Sequence, residues 1–259
     1  MLRSLKELYG YNILALDGEI GKVHDFYFDD EEWTVRYLVV DTGPWIFGRK
    51  VLVAPLALGR PDWIGHRFPV NLTREQVEDS PDIDTDRPVS RQQQQYLHEY
   101  FHWPMYWNLT GVPPTAPAVY PAVHDEARKA QAEAEPITQE TDSHLRRARE
   151  VIGYQVEGRD ERLGKVGDFI LEDEGWILRY LVLDTDAWNT DAWNMQAKKV
   201  LIAPFWIQSI TYEDSQVQID LTRQIIMDSP GFDPKTTINR EYEEVLYDYH
   251  GRPYYWIRR

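Results

Sequence analysis

Cysteine is missing from this chain of 259 residues. Disulfides, thiolate metal sites and thiol catalysis are therefore excluded. Long apolar runs are missing as well, since no stretch approaches the roughly 18–20 consecutive apolar residues that span a bilayer. The opening "MLRSLKELYGYN" has neither the apolar segment nor the small-residue cleavage site of a signal peptide, which predicts a cytoplasmic chain. Positive charge is scarce: 28 Lys and Arg stand against 43 Asp and Glu, for a formal charge of −15. A nucleic-acid backbone needs clustered cations, and so does an anionic membrane surface. The expected partners therefore exclude nucleic acid, and no membrane insertion is expected.

What the chain has in excess is aromatic, with ten Trp and sixteen Tyr. Ten of its residues read "HEYFHWPMYW" (98–107), beginning His-Glu-x-x-His. On a helix this spacing puts His98 and His102 on one face beside Glu99, the arrangement by which many proteases hold zinc and a general base.

Self-similarity weighs this motif. Residues 10–42 align without gaps to 153–185, with about half the positions identical. "KVLVAP" (50–55) then matches "KVLIAP" (199–204), and "NLTREQVEDSP" (71–81) matches "DLTRQIIMDSP" (220–230). The offset of 149 that relates these segments continues to "PMYW" (104–107) against "PYYW" (253–256). Two copies of one domain follow, 1–107 and 148–259, with a Pro- and Ala-rich linker over 108–147 whose composition cannot bury a core. The six additional residues of the second copy arise where "TDAWN" (185–189) is repeated at once (190–194), a loop expansion that carries Trp188 and Trp193.

Within each copy the pattern is β-rich. "KVHDFYF" and "TVRYLVVDT" flank a polar hairpin end, and both faces of 35–40 are apolar, which suits a strand buried on two sides. Gly18 and Gly21 suit a turn between short strands. Thr73 and Thr222 read as N-caps of short helices stopped by Ser-Pro. The expected fold is mainly β, two small six-stranded barrels each followed by short helices and an aromatic tail.

The order Gly-Lys-Val-x-Asp-Phe, then Trp-x-x-Arg-Tyr-Leu-Val-x-Asp-Thr, then Lys-Val-Leu-(Val/Ile)-Ala-Pro resembles the PRC-barrel family, over roughly 5–85 and 148–235. That family takes its name from the cytoplasmic barrel of the photosynthetic reaction-centre H subunit and includes a barrel of a ribosome small-subunit maturation factor. The resemblance implies a six-stranded barrel. This chain departs from the first in lacking a membrane-spanning helix and from the second in lacking its separate N-terminal domain.

At the offset of 149, His98, Glu99 and His102 correspond to Tyr247, Asp248 and Gly251, so the second copy drops the motif. Trp103 precedes Pro104, which ends the helix there. The motif reads as an accident of a helix end, and no metal or cofactor is expected. Asp25/Asp168, Arg36/Arg179 and Asp41/Asp184 recur, and read as hairpin-end bonding and register rather than as a carboxylate pair with an anion clamp. "GEIGK" is too short for a phosphate loop. The aromatic positions Tyr100, Tyr106 and Trp107 of one tail, and Tyr249, Tyr255 and Trp256 of the other, are the candidate interaction residues. They are expected near a shared interface of two barrels packed as a pseudo-dimer, and homo-oligomers are possible on the same logic. The functional expectation is a non-enzymatic tandem module that binds or scaffolds proteins. An electron-transport accessory like the reaction-centre barrel and a ribosome-assembly adaptor are the rivals.

Overall fold

The structure is a computed structural model that describes residues 1–46, 48–83, 89–108, 144–185 and 197–257. Most of the expected linker and the repeated Trp188 and Trp193 lie outside the described residues. The first copy supplies β1 (Leu2–Ser4), β2 (Asn12–Ala15), β3 (Gly18–Asp29), β4 (Thr34–Asp41), β5 (Lys50–Val53) and β6 (Arg67–Pro69), then α1 (Arg74–Glu78) and α2 (Arg91–Phe101). The second supplies β7 (Leu145–Arg147), α3 (Ala148–Val151), β8 (Gln155–Glu157), β9 (Arg162–Glu172), β10 (Ile177–Thr185), β11 (Lys199–Ile202), β12 (Ile207–Thr211) and β13 (Gln216–Ile219), then α4 (Arg223–Asp228) and α5 (Arg240–His250). The protein is mainly β. Leu145–Arg147, inside the stretch read as linker, is a strand.

These elements form two compact units. One consists of Leu8–Ala148 with Glu174–Ile177; the other consists of Met1–Glu7, Arg149–Asp173 and Leu178–Arg259. In the first unit β3 is the spine, antiparallel to β2 along its first half and to β4 along most of its length. β5 continues the sheet beyond β4, and β6 runs parallel to β2. Thr34–Val40 of β4 is buried throughout, as its two apolar faces require. In the second unit β9 takes the same place, with β8 on one side and β10, then β11, on the other. β13 runs parallel to β8, and β12 pairs with β13.

Each spine takes its remaining partner from the other end of the sequence. β1 pairs with β9 of the second copy, and β7 pairs with β3 of the first. The two N-terminal strands are thus exchanged between the copies. The sequence expectation kept residues 1–107 and 148–259 as separate domains; the compact units cut across those bounds.

The glycine before Lys-Val serves a close approach, not the turn expected from sequence. A Cβ on Gly21 would stand 2.1 Å from the carbonyl oxygen of Asp41, and one on Gly164 would stand 2.1 Å from that of Asp184. The tip of each β3/β4-type hairpin instead holds a tryptophan in the left-handed region, Trp33 at φ 53° and Trp176 at φ 54°. Such a conformation costs roughly 1–2 kcal/mol. Burial offsets it: Trp33 stacks on Phe28 at 5.6 Å, and Trp176, 3% exposed, packs 5.9 Å from Phe68 within the first unit.

α1 and α4 begin as the sequence indicates. Thr73 accepts from the Gln76 N–H in a full capping box, and Thr222 accepts from that of Ile225. Their C-terminal carbonyls are met by a recurring cation. Arg49 donates to the carbonyl oxygens of Val77, Glu78 and Ser80, and Lys198 donates to those of Met227 and Ser229. Both placements satisfy orphan carbonyls where the helix dipole is negative.

Candidate functional site: an arginine–aromatic ladder

α2 starts at Ser90, whose hydroxyl and Gln93 form a capping box, and α5 starts at Asn239, whose side chain accepts from the Tyr242 N–H. Each helix ends on a residue in the left-handed region, His102 at φ 54° and Gly251 at φ 59°. The chain then reverses, and a proline two residues on prevents any helical restart. This folds the Tyr-Trp tail back along the first turns of its own helix.

In the first copy the returning tail meets two arginines. The Arg36 guanidinium lies 3.9 Å from the centre of the Tyr106 ring, and that of Arg91 lies 4.4 Å from the Trp107 ring. The second copy repeats the pattern, with Arg179 4.3 Å from Tyr255 and Arg240 4.0 Å from Trp256. Guanidinium over an aromatic face contributes about 0.5–2 kcal/mol per pair, more where water is excluded. Beneath each stack lies one buried polar hub. Gln94, fully buried, accepts from the Tyr106 hydroxyl at 2.6 Å and lies 3.3 Å from the Tyr37 hydroxyl oxygen. Its counterpart Glu243 accepts from Tyr180 at 2.6 Å and Tyr255 at 2.9 Å, and pairs with Arg240 at 3.0 Å. Burial and this carboxylate push the Tyr180 hydroxyl well above its ordinary pKa, and they push Tyr255 up to about 12. Both phenols therefore act as hydrogen-bond donors throughout the physiological range.

The six aromatic positions singled out in the sequence have distinct surroundings. Tyr100 is buried and donates its hydroxyl to the Gln76 carbonyl at 2.9 Å, tying α2 to α1. Tyr106, Trp107, Tyr255 and Trp256 are half-buried in the two ladders. Tyr249 donates to the Ile225 carbonyl at 2.9 Å but is 40% exposed. Each tail packs within its own unit. The recurring charges are also engaged there. Arg36 bonds Glu32 at 2.5 Å and Asp29 at 3.4 Å, Asp25 pairs with Arg147, and Asp41 accepts from the Gly43 N–H. Asp184 pairs with Lys199, and Arg179 pairs with Glu172. Asp168 holds Ser4. Sequence reasoning missed Arg91/Arg240 and Gln94/Glu243, although both pairs stand at the same offset of 149 as the tails.

The His-Glu-x-x-His stretch is distributed differently from a metal site. The Nδ1 of His98 faces the Pro104 carbonyl at 2.9 Å and so carries the proton, leaving Nε2 to accept from the Tyr37 hydroxyl at 2.7 Å. Both ring nitrogens are occupied. His102, at the left-handed helix end, is off the helical face where its partner would need it. Among the described residues no group of three metal-ligating side chains converges.

Burial lowers the His98 pKa from 6.5 to about 4. Between those values the unfolded chain binds a proton that the folded one does not. Stability should therefore fall as pH drops from about 6.5 to about 4, with a slope approaching about 1.4 kcal/mol per pH unit, and level off below. His250, also lowered to about 4 by burial, adds in the same direction. The imidazole resonances of His98 should stay those of the neutral ring at pH 5.5; a midpoint near 6.5 would show that the ring is solvated.

The strands and recurring segments described above match the PRC-barrel domain model at residues 2–73 and again at 144–224. The chain belongs to the PRC-barrel domain family. A curated relative, an uncharacterized protein of Deinococcus radiodurans, is 37% identical over 82 residues. That segment is 32% of this chain and 28% of the Deinococcus protein, so the likeness spans little more than a quarter of the relative. Both PRC-barrel matches end before the long helices begin. Arg36 and Arg179 thus lie inside the matched domain, whereas α2, α5 and the tails they clasp lie beyond its C-terminal side in both copies. No described helix is long and apolar enough to cross a membrane.

Proposed function

We propose that this tandem PRC-barrel protein is a non-enzymatic interaction module, and that it recognises a protein partner through the open face of α5. The observation that carries this reading is an asymmetry between equivalent positions. Val245 and Tyr249, one turn apart on α5, are 53% and 40% exposed, and Phe205, whose ring centre lies 5.9 Å from that of Tyr247 on the same helix, is 52% exposed. Their first-copy counterparts Tyr96, Tyr100 and Leu56 are half-buried or buried. Exposed apolar residues on one copy alone, where the other copy has closed the same positions, fit a surface kept open for binding. Glu241, Glu244 and Asp248 are exposed on the same helix, which favours a partner with basic residues around an apolar centre.

The test compares the full chain with Val245→Lys and Phe205→Ser in affinity capture from its native cell. Val245→Lys places a lysine four residues after Glu241, a pairing that supports the helix, so folding should be unchanged within about 0.5 kcal/mol. A stoichiometric partner retained by the natural sequence should be reduced at least tenfold by either variant. Equal capture by all three would exclude this face.

A further inference from the structure

The exchanged strands are equivalent in sequence position. Leu2-Arg3-Ser4 and Leu145-Arg146-Arg147 are related by the offset of 143. Their pairings are equivalent too. Ser4 lies opposite Ile170 and Leu2 opposite Glu172, while Arg147 lies opposite Tyr27 and Leu145 opposite Asp29. Since Tyr27 corresponds to Ile170 and Asp29 to Glu172, the two registers are one register. The flanking contacts recur as well. Arg3 reaches Asp173 at 2.7 Å and Arg146 reaches Asp30 at 3.1 Å. The Asp173 N–H donates to the Met1 carbonyl at 3.0 Å, as the Asp30 N–H does to His144 at 2.9 Å. By backbone and by outer ion pair, either strand fits either spine.

One position differs. Arg147 donates its Nε–H to Asp25 at 3.1 Å, and Asp25 is wholly buried. At the equivalent place Ser4 donates its hydroxyl to Asp168 at 2.5 Å, and the Lys6 N–H donates to the other oxygen at 3.1 Å. Burial raises the pKa of Asp168, in keeping with a site that offers hydroxyl and amide donors. Returning β1 to its own copy would set Ser4 on Asp25 and remove the guanidinium from a buried carboxylate, a strongly unfavourable change. Returning β7 to its own copy would place a long arginine where a serine and a backbone amide now fill the space.

We infer that β3 and β9 are strand-acceptor sites for an extended Leu-Arg-(Ser/Arg) segment, and that residues 4 and 147 select which strand each site takes. The segment binds by strand addition, with main-chain bonds supplying affinity and the Asp25 or Asp168 position supplying choice. The site is open to the same segment offered in trans, and two such insertions hold the halves of the chain together without the linker.

Two experiments on the full-length protein test this. In the first, residues 2–7 are deleted and a synthetic peptide of residues 1–9 is titrated in. The peptide should bind and raise the midpoint of thermal unfolding, and a peptide carrying Ser4→Arg should bind at least tenfold more weakly. No binding, or equal binding of the two peptides, would overturn the assignment. In the second, which stands even where the deletion variant fails to fold, a specific protease site is inserted between residues 109 and 143 and cut under native conditions. The fragments should co-elute in size-exclusion chromatography, and Arg147→Ser should raise at least tenfold the concentration at which they separate on dilution. Fragments that separate at once after cleavage, or that show no response to Arg147→Ser, would sink the proposal.

Discussion

Trp206→Ala should destabilise the second unit by about 3–5 kcal/mol, the range for deleting a large buried aromatic. Trp206 is 1% exposed, with its ring centre 4.5 Å from that of His250 and 5.5 Å from that of Tyr247. The first copy has Ala57 at this position, and at the position of His250 it has Phe101, which stacks on Trp103 at 4.4 Å. The counterparts of that pair in the second copy are His250 and Arg252, and there the Trp206 indole packs on His250 instead. Among the described residues the buried indole Nε1 has no hydrogen-bond partner. Trp206→Phe therefore sacrifices no polar contact and should cost only about 1–2 kcal/mol, mainly through lost volume. Chemical unfolding of the two variants checks both values, and an alanine variant within about 1 kcal/mol of the natural protein would show that the indole is not a core element.

Gly164→Ala should be comparably damaging, at about 3 kcal/mol or more, because overpacking against backbone adds to strain at an unfavourable φ. The new methyl would meet the Asp184 carbonyl oxygen at 2.1 Å, with Gly164 at φ +147°. A main-chain carbonyl inside a ladder cannot swing away as a side chain can, so the β9–β10 pairing itself must open. Gly10→Ala supplies the control. Gly10 sits at φ +80° with nothing within 4 Å of its added Cβ, so only conformational strain of about 1–2 kcal/mol applies. The difference between the two variants measures the contact. Equal losses would mean that the close approach contributes nothing.

Much of the architecture was legible because the chain states it twice. The two-faced apolar run at 35–40, the threonine caps and the helix end before Pro104 all follow from local pattern, and the second copy repeats each of them. The strand exchange was not legible. Alternation specifies which face of a strand is buried, and the same Leu-Arg beginning satisfies both acceptors, so only the Ser4/Arg147 difference marks the choice. The ladder was half legible. The tails and Arg36/Arg179 stood out as repeated, but Arg91 and Arg240, in the first turn of their helices, look like ordinary solvated charges until the reversal after Pro104 and Pro253 brings the tails over them. The histidine motif misleads for the same reason, since a local spacing carries no information about Tyr37, sixty-one residues earlier, which takes one of its nitrogens.

The exchange also imposes an order on biosynthesis. The first-copy unit needs Leu145–Arg147 on its spine, so it cannot finish its sheet while only its own copy has been made. Residues 1–7 wait longer still. Their acceptor, Arg162–Glu172, is translated about 160 residues later, on the order of ten seconds at ordinary elongation rates. During that interval the β3 edge stands open beside a nascent strand that fits it in register but leaves Asp25 without its arginine. Any premature return of β1 to β3 must be undone before Leu145–Arg147 can take that edge, so the exchange is completed only after both acceptor strands have been made.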